Sequence, residues 1–456
     1  MIRATFLSLV ALTAAACGDD GNAATPATPD APSGTTNPDD NTVLLTDNIT
    51  TNTTWTSAKT YVLAKNQKVF VTPGNTLTIE PGTEIRGQNG SVLVISRGAK
   101  IMAQGTVDKP IVLTSAQATG TKTPGWWGGL LILGAAPVNV NVRSTPPSNE
   151  ALFEAFSLSD AQFGTFGGTT ADDNSGVLKY VRIEFAGFNF VADREFNNLT
   201  LCGVGSGTTI DYVQVHSGSD DGIEFFGGTV NVKHIVSSQN QDDGFDTDNG
   251  WSGKAQFVIV QNISHPATLP EASNGYESDN HGTAASYTAD PRTLPTVSNV
   301  TLIGDHDWTG GANWAAVFRR GTGGHYSNQI WMNFQKGPEI RDKETADQVA
   351  AGNLTVTNSL LFHNDTSLTN LPPVQASADV DEALIFNAAS NDFVADPGLP
   401  AAATSKTAPA FQPVAGAAAL TGGVPPTDAF FDQTATFRGA IGPVDWTAGW
   451  TKYPQN

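Results

Sequence analysis

Short apolar runs alternate with glycine-containing turns along most of the chain. Residues 77–79 (LTI) and 92–95 (VLVI) are such runs, and a Pro81-Gly82 turn lies between them. Alternating apolar and polar positions are typical of short strands, and Pro-Gly favours a type II turn. No segment shows a long helical period. The pattern therefore predicts an all-β protein built from many short strands.

A repeat of about 22 residues occupies the middle of the chain. The segment DDGIEFFGG begins at Asp220, DDGFDTDNG begins 22 residues later at Asp242, and a weaker copy, SNGYESDNH, begins 31 residues further on, at Ser273. Runs of a second kind, such as residues 230–236 and 256–260, alternate with these copies. A period near 22 with two or three short strands per repeat is the pattern of a β-solenoid.

Stacking of these repeats predicts a parallel β-solenoid over residues 46–365. Each coil would return the chain to the same face about 4.8 Å further along the axis, and only stacked coils bury a continuous core. Successive turns would then lie in register, with three glycines as neighbours along the axis: Gly222, Gly244 and Gly275. Intervals longer than one coil are expected to form loops that bulge from the solenoid.

The last part of the chain, residues 366–456, has a different composition. It contains the Ala- and Pro-rich stretch DPGLPAAATSKTAPAFQPVAGAAALTGG and then supplies large apolar side chains, including Phe437, Trp446 and Trp450. An open solenoid end exposes unpaired strand edges, which need to be covered. We therefore expect this part to form a cap packed on the C-terminal end of the solenoid.

Several segments resemble those of pectin-lyase-like right-handed parallel β-helices, and more narrowly those of bacterial outer-membrane lipoproteins of the leptospiral surface-lipoprotein type. They are TLTIEPGTEIRG, GWWGGLLILG, GSDDGIEFFGG, QDDGFDTDNGWSG and the tail DWTAGWT. The resemblance covers most of residues 45–456, and the paired DDG segments are its most specific part. It implies a right-handed parallel β-helix in a surface protein without a well-defined reaction.

The first 17 residues, MIRATFLSLVALTAAAC, have the features of a secretory signal. Arg3 precedes an apolar stretch that is too short to span a bilayer, and small residues lead to Cys17. The end of this stretch resembles a bacterial lipobox, although Ala14 stands where leucine is usual. The resemblance implies a lipidated Cys17, membrane attachment through the lipid, and export by the general secretory route to the outer membrane or cell surface. An ordinary cleaved signal is the alternative.

Residues 18–45 follow the signal and are rich in Pro, Thr, Ala, Asp and Gly. Such a composition cannot form a core, so these residues are predicted to be a disordered tether. Only two cysteines are present, and lipidation of Cys17 would leave Cys202 without a partner for an intrachain disulfide.

The whole chain is acidic, because 44 Asp and Glu residues against 24 Lys and Arg give a formal net charge of −20. This balance argues against a nucleic-acid partner, since phosphate binding needs clustered Lys and Arg.

The repeat places many of the acidic side chains on one outer face. Period-two alternation sends Ile223 and Phe245 inward and their neighbours outward. One predicted row along the axis contains Glu224, Asp246, Glu277, Arg319 and Arg341. A second row puts Asp248 beside Asp279, and the turns before the strands add Asp220, Asp221, Asp242 and Asp243.

Acids on adjacent coils repel one another unless something offsets their charge. Two unit charges about 5 Å apart repel by roughly 3 kcal/mol at an effective dielectric constant of 20. Three interpretations stay open: a solvated ladder of Asp-Asp-Gly turns, a bound hard cation, or carboxyls whose raised pKa values suit acid–base catalysis. Calcium is the cation that fits such oxygen ligands, and its candidate ligands are Asp243, Asp246, Asp248 and Asp279.

The leading functional hypothesis is a surface-anchored lipoprotein with a binding or structural role, whose acidic face binds calcium. Its ligand, a carbohydrate or a host or cell-surface molecule, would contact Glu224, Asp246, Asp248, Glu277, Asp279 and Arg341. The alternative is a polysaccharide lyase or glycoside hydrolase whose catalytic residues are Asp220, Asp221, Asp242, Asp243 and Arg319. A carboxylate pair with water between suits an inverting hydrolase, and a calcium ion beside Arg319 suits a lyase. Whether the protein is an enzyme stays open.

Overall fold

The computed structural model describes residues 41–141, 148–191, 194–264, 273–309, 313–362 and 390–456. The signal with Cys17, the tether up to residue 40 and residues 363–389, which include the start of the predicted cap, lie outside the described residues. Within the described residues, short strands stacked in parallel form nearly all of the regular structure. The prediction of an all-β parallel solenoid is confirmed.

In chain order the described strands are β1 (Thr42–Leu45), β2 (Thr53–Trp55), β3 (Thr60–Leu63), β4 (Lys68–Val71), β5 (Thr76–Ile79), β6 (Glu84–Gly87), β7 (Val92–Ile95), β8 (Lys100–Gln104), β9 (Ile111–Ser115), β10 (Leu130–Leu133), β11 (Glu150–Leu152), β12 (Thr165–Gly167), β13 (Gly176–Glu184), β14 (Asn189–Val191), β15 (Arg194–Glu195), β16 (Leu199–Val204), β17 (Thr209–His216), β18 (Ile223–Gly228), β19 (Asn231–Ser238), β20 (Phe245–Asp248), β21 (Lys254–Gln261), β22 (Tyr276–Ser278), β23 (Thr296–Ile303), β24 (Trp314–Phe318), β25 (Gly324–Met332), β26 (Lys336–Ile340), β27 (Leu354–Thr357) and β28 (Leu360–Phe362).

The helices are few and short. The described part of the chain contains α1 (Ala161–Gly164) and α2 (Lys343–Ala350). Short 3-10 turns occur at Leu158–Asp160, Ala284–Ser286, Ala401–Thr404 and Ala418–Leu420. Among the described residues, no helix combines the length and the apolar character that crossing a bilayer requires.

Two long sheets run along the solenoid axis. The nine-stranded sheet has the order β26-β24-β22-β20-β18-β16-β10-β7-β4, and the fifteen-stranded sheet contains the strands that alternate with these along the chain. In the first coils the larger sheet has two separate strands per coil, and β13 joins both positions, because its first half pairs with β8 and its second half with β9. The first coils therefore contribute two strands to the large sheet and one to the small sheet, whereas the coils after β13 contribute one long strand to the large sheet and one strand to the small sheet.

Apolar side chains stack inside the coils in rows that follow the register. One such row, buried throughout, is Leu178, Ile210, Val232, Ala255, Val297, Tyr326 and Val356. Its members come from different coils, so each coil completes the burial of its neighbours. Inside the coils, one continuous apolar cluster runs from the first strands to the last.

A column of left-handed residues bends the large sheet where its two strand positions meet. Tyr180, Tyr212, His234 and Phe257 have φ between 49° and 61°, a conformation that costs a non-glycine residue about 1–2 kcal/mol. Their rings stack on one another, with centroid separations of 4.5, 4.2 and 5.0 Å along the column. We call these four residues the aromatic column; their stacking offsets the backbone cost.

The C-terminal segment, defined here as residues 396–456, lies along the flank of the solenoid. Gln214 donates from Nε2 to the carbonyl of Lys452 at 2.8 Å, and Gln239 and Gln261 donate to the carbonyls of Lys406 and Ala403, each at 2.7 Å. This segment packs on the solenoid, as predicted, but it extends along the flank instead of covering only the C-terminal end. The segment covers the aromatic column and the glutamine amides beside it. These side chains point outward from the flank of the solenoid and not toward its end.

The segment packs its own aromatic residues on that column. Trp446 and Trp450 meet Tyr212 edge to face at 6.3 and 6.1 Å, and Trp450 is fully buried. A second correction concerns the other end of the chain. Residues 42–45, assigned above to the tether, form β1, which pairs with β3 because Val43 and Leu45 continue the inward apolar pattern.

Candidate functional site

The acidic side chains predicted from the repeat gather on the outer surface of the nine-stranded sheet. Parallel pairing puts Glu224 beside Asp246 and Asp246 beside Glu277. Their inward neighbours are buried, because period-two alternation points Ile223, Phe245 and Tyr276 into the core. We use the term acidic face for nine residues: Asp220, Asp221, Glu224, Asp242, Asp243, Asp246, Asp248, Glu277 and Asp279.

The predicted alignment of the three DDG-like turns is confirmed. Gly222 donates its backbone N–H to the carbonyl of Asp243, and Gly244 donates to the carbonyl of Asn274, each at 2.9 Å. A Cβ atom on Gly222 would lie 2.8 Å from the carbonyl oxygen of Gly244. Glycine is needed here because successive coils approach too closely for a side chain.

The two arginines do not belong to the row in which they were predicted. The position beside Glu277 is occupied by Val317, and the next one by Glu339. Arg319 and Arg341 each lie two residues further on, directly after the ends of β24 and β26. A shift of two keeps the in-and-out alternation intact, so the apolar pattern could not reveal it.

Arg319 nevertheless reaches the acids from its shifted position. Its Nε donates to Asp279 Oδ1 at 2.8 Å, and its Nη2 donates to Glu277 Oε1. Arg320, which the sequence reasoning did not select, donates to Asp279 Oδ2 at 2.6 Å. Arg341 instead pairs with Glu339 at 2.6 Å. The basic residues therefore neutralise one end of the acidic face.

The second predicted row is present at this end. Thr247 pairs with Ser278, so Asp248 and Asp279 follow them side by side. Asp248 also accepts from the N–H of Asn249 at 2.5 Å.

The turn acids Asp221 and Asp243 link one coil to the next. Asp221 Oδ1 accepts the backbone N–H of Asp243, and Asp243 Oδ1 accepts the N–H of Asn274, both at 2.9 Å. Asn274 continues the series by accepting from the N–H of Trp314 at 3.0 Å. Asp221 and Asp243 are 7% and 4% exposed, so each is largely buried and holds one oxygen against the neighbouring coil.

Carboxylate oxygens of the acidic face converge in three overlapping groups. Within each group one oxygen per residue lies within 4.8 Å of the others. The groups are Asp220 with Asp221 and Asp242, Asp221 with Glu224 and Asp246, and Asp243 with Asp246 and Glu277. Asp246 belongs to two groups, and its Oδ1 atom is buried without a hydrogen-bond donor among the described residues.

Burial raises the pKa of six carboxyls of the acidic face: Asp221, Glu224, Asp243, Asp246, Asp248 and Asp279. Neighbouring carboxylates raise the pKa further for Asp221, Glu224, Asp246 and Asp279. The effect is strongest for Asp221, Glu224, Asp246 and Asp279, whose pKa values lie well above the usual range. For Asp246, burial is the largest cause, followed by repulsion from Asp279 and Asp243, whereas Arg319 acts in the opposite direction. The acidic face therefore holds negative charge that its own arginines offset only in part.

Two further residues near Glu224 had no signal in the repeat. Asn197 donates from Nδ2 to Glu224 Oε2 at 2.5 Å and is itself buried. The charge of Glu154 acts on Glu224, although Glu154 lies in the excursion between β10 and β13, some 70 positions earlier. Of the other expectations, Cys202 is fully buried in β16, and burial raises the pKa of its thiol.

Comparison with known proteins identifies the family of the chain. A family model described as a pectate-lyase like beta helix domain matches residues 47–451. Neither the curated proteins nor the solved structures gave a match. Because the family model spans most of the chain, the protein belongs to the pectate-lyase-like β-helix family, and its fold is a right-handed parallel β-helix.

Proposed function

We propose that this member of the pectate-lyase-like β-helix family binds a divalent cation, Ca²⁺, on its acidic face, and that it serves as a binding protein anchored at the cell surface. The main support for a bound cation is the position of Asp246. It shares two of the three carboxylate groups, and its buried Oδ1 receives no hydrogen bond from the described residues. A buried carboxylate oxygen without a donor is costly unless a cation takes the donor's place.

The geometry of the groups supports Ca²⁺ over other ions. Calcium binds six to eight oxygens at about 2.3–2.6 Å, so two of its ligands lie at most about 5 Å apart. The oxygens of each group lie within 4.8 Å of one another. The groups found among the described residues contain only carboxylates, which favour hard cations over zinc. Asp246 and its neighbours Asp221, Glu224, Asp243 and Glu277 would be the side-chain ligands.

The charges support a cation as well. Within the acidic face, Arg319 and Arg320 contact Glu277 and Asp279, at one end of the row. Asp221, Glu224 and Asp246 lie toward the other end, where their pKa values are raised by burial and by one another. A divalent ion there would remove this repulsion and bring the carboxyls to their ionised form.

Titration calorimetry with CaCl₂ on the chelator-treated protein tests the proposal. We expect saturable binding by the native chain and at least tenfold weaker binding by Asp246→Asn, which keeps the shape of the side chain but loses its charge. Asp108→Asn is the matched control, because Asp108 is an exposed acid outside the acidic face. An affinity for Ca²⁺ that Asp246→Asn leaves unchanged would remove Asp246 from the site, and absence of binding at millimolar Ca²⁺ would end the proposal.

The surface location is supported by the signal-like N-terminus and by the composition of residues 18–40. A lipid on Cys17 would hold the β-helix at the membrane while the tether separates the two. We include in this proposal that the protein is a surface lipoprotein of the leptospiral type. Mass spectrometry of the N-terminal peptide tests it: a diacylated Cys17 is expected, and an unmodified mature N-terminus located elsewhere would contradict it.

A polysaccharide lyase is the second candidate, and the position of Arg319 favours it. The guanidinium lies beside the carboxylates that would hold the cation, and burial lowers its pKa, which favours proton abstraction. A lyase would generate unsaturated products that absorb ultraviolet light, and Arg319→Lys would abolish them. A hydrolase is less well supported, because Asp221 and Asp243 each bind a backbone amide of the next coil. A hydrolase would instead release reducing ends without unsaturated products. If the protein does so and Asp221→Asn and Asp243→Asn both lose this activity, the hydrolase is the better assignment.

A further inference from the structure

A cavity lies on the fifteen-stranded sheet, at the junction of the solenoid and the C-terminal segment. Its volume is about 520 Å³, within the range of small-molecule sites. The solenoid contributes residues of β6, β9 and β13 and the loop after β9. The C-terminal segment contributes Thr407, Lys452, Tyr453, Pro454 and Asn456. The acidic face belongs to the nine-stranded sheet, whereas this cavity lies on the fifteen-stranded sheet.

The charged residues of the cavity leave a positive surplus. Glu184 is buried and pairs with Arg182 at 3.1 Å. Glu84 pairs with Arg86 at 2.6 Å, so both acids of the lining have an arginine partner. Two lysines, Lys122 and Lys452, also line the cavity, and among the described residues neither ammonium forms an ion pair with a side-chain carboxylate. The lining side chains, three basic and two acidic, therefore carry one net positive charge, on a chain whose net charge is −20.

Lys122 is held in place by the protein. Its Nζ donates to Thr114 Oγ1 at 2.9 Å and lies 5.6 Å from the ring centroid of Phe185. Burial lowers the pKa of this ammonium, against the attraction of Glu184 and Glu84. An anion placed in the cavity would favour the charged form and recover part of the desolvation cost.

We propose that this cavity binds a small organic carboxylate that carries hydroxyl groups. The carboxylate would be bound by two ammonium groups, that of Lys122 on the solenoid and that of Lys452 on the C-terminal segment. The hydroxyls of Thr119 and Thr407, which also line the cavity, would hydrogen-bond the hydroxyl groups of the ligand. This site is separate from the proposed cation site and does not depend on it.

Titration calorimetry with D-gluconate tests the assignment, using the full chain freed of divalent cations on a chelating resin. Sorbitol, which has a similar carbon skeleton without the charge, is the neutral probe, and inorganic phosphate is the probe for a non-carboxylate anion. We expect gluconate to bind and sorbitol to give no signal. Equal binding of gluconate and sorbitol, or binding of phosphate alone, would overturn the carboxylate assignment, as would the absence of gluconate binding at 10 millimolar, about ten times a millimolar dissociation constant.

Variants locate the binding. Lys122→Met and Lys452→Met are each expected to weaken gluconate at least tenfold, while Lys122→Arg restores much of the affinity because it keeps the charge. Lys100→Met is the matched control, since Lys100 is an exposed lysine of β8 outside the cavity. Thermal melting of each variant shows whether it is folded. Unchanged affinity in both methionine variants would place the ligand elsewhere, and Asp246→Asn should leave gluconate binding intact, which separates this site from the acidic face.

Discussion

Without calcium, Asp246→Asn should stabilise the protein. Asp246 is crowded by carboxylates whose oxygens lie within 4.8 Å, and its buried Oδ1 has no described donor. Its raised pKa means that folding opposes ionisation of this group. Asparagine has nearly the same shape and no charge, so the substitution removes repulsion without opening a cavity.

The size of the gain can be bounded. Two charges 4.8 Å apart repel by about 3–4 kcal/mol at an effective dielectric constant of 20. The native Asp246 carboxyl can also escape the repulsion by taking up a proton. Protonating an ordinary aspartate at pH 7 costs about 4 kcal/mol, so the destabilisation caused by Asp246 cannot exceed about this value. Attraction by Arg319 reduces the repulsion. We therefore expect a gain of about 1–3 kcal/mol, or roughly 1–4 °C in Tm for a chain of this length.

Calcium should reverse the order. A ligand present at 100 times its Kd stabilises the folded state by about 2.7 kcal/mol. The native chain should gain this amount from Ca²⁺, and Asp246→Asn should gain little. Thermal melting of both chains and of Asp108→Asn, with chelator and with excess Ca²⁺, measures all six values. A variant that is less stable than the native chain without calcium would refute the account of crowded charge, and equal calcium shifts in the two chains would refute the assignment of the ligand.

Three further predictions follow from other features. Because the folded-state pKa values of the acidic face are raised, the chelator-treated protein should lose stability as the pH rises from about 4 through those raised values, and the Tm shift caused by Ca²⁺ should grow over the same interval. Gly222→Ala should cost about 1–3 kcal/mol in urea unfolding, since the new Cβ would overlap Ser237 Oγ, whereas Gly282→Ala, with open space around it, should be near neutral; equal costs would contradict the close stacking of coils. Trp450→Ala should cost about 3–5 kcal/mol and make the C-terminal segment cleavable by trypsin before the coils unfold; unchanged cleavage would contradict its docking through Trp450.

The repeat was sufficient to predict the solenoid and the place of most acids. Each DDG turn carries an apolar residue at a fixed offset, so Ile223, Phe245 and Tyr276 had to fall on one inner row, as the register shows. Close packing of the coils at Gly222 was likewise readable, because the turn needs glycine.

The remaining features depend on information that the repeat does not carry. Arg319 was placed two positions away from its true neighbours, since a shift of two preserves the alternation. Arg320 and Asn197 contact the acids from outside the repeat, and only the folded chain brings them there. The composition of the C-terminal segment indicates that it covers apolar surface, and the open end of the solenoid was the surface expected to need covering. Composition alone does not say which surface is covered. The aromatic column that it covers consists of residues from four different coils.

The docked C-terminal segment has a consequence for the order of folding. Gln214 and Lys452 are 238 positions apart, and their mutual hydrogen bonds cannot form until the chain between them exists. Contacts of such separation pay a large closure entropy and form late. Each coil can stack on the previous one as soon as it is synthesised, from the N-terminus onward. The C-terminal segment can dock on the flank only after all the strands beneath it have formed. Docking of the C-terminal segment is therefore the last step in forming the β-helix. A chain truncated before this segment would keep its stacked coils but leave the aromatic column uncovered.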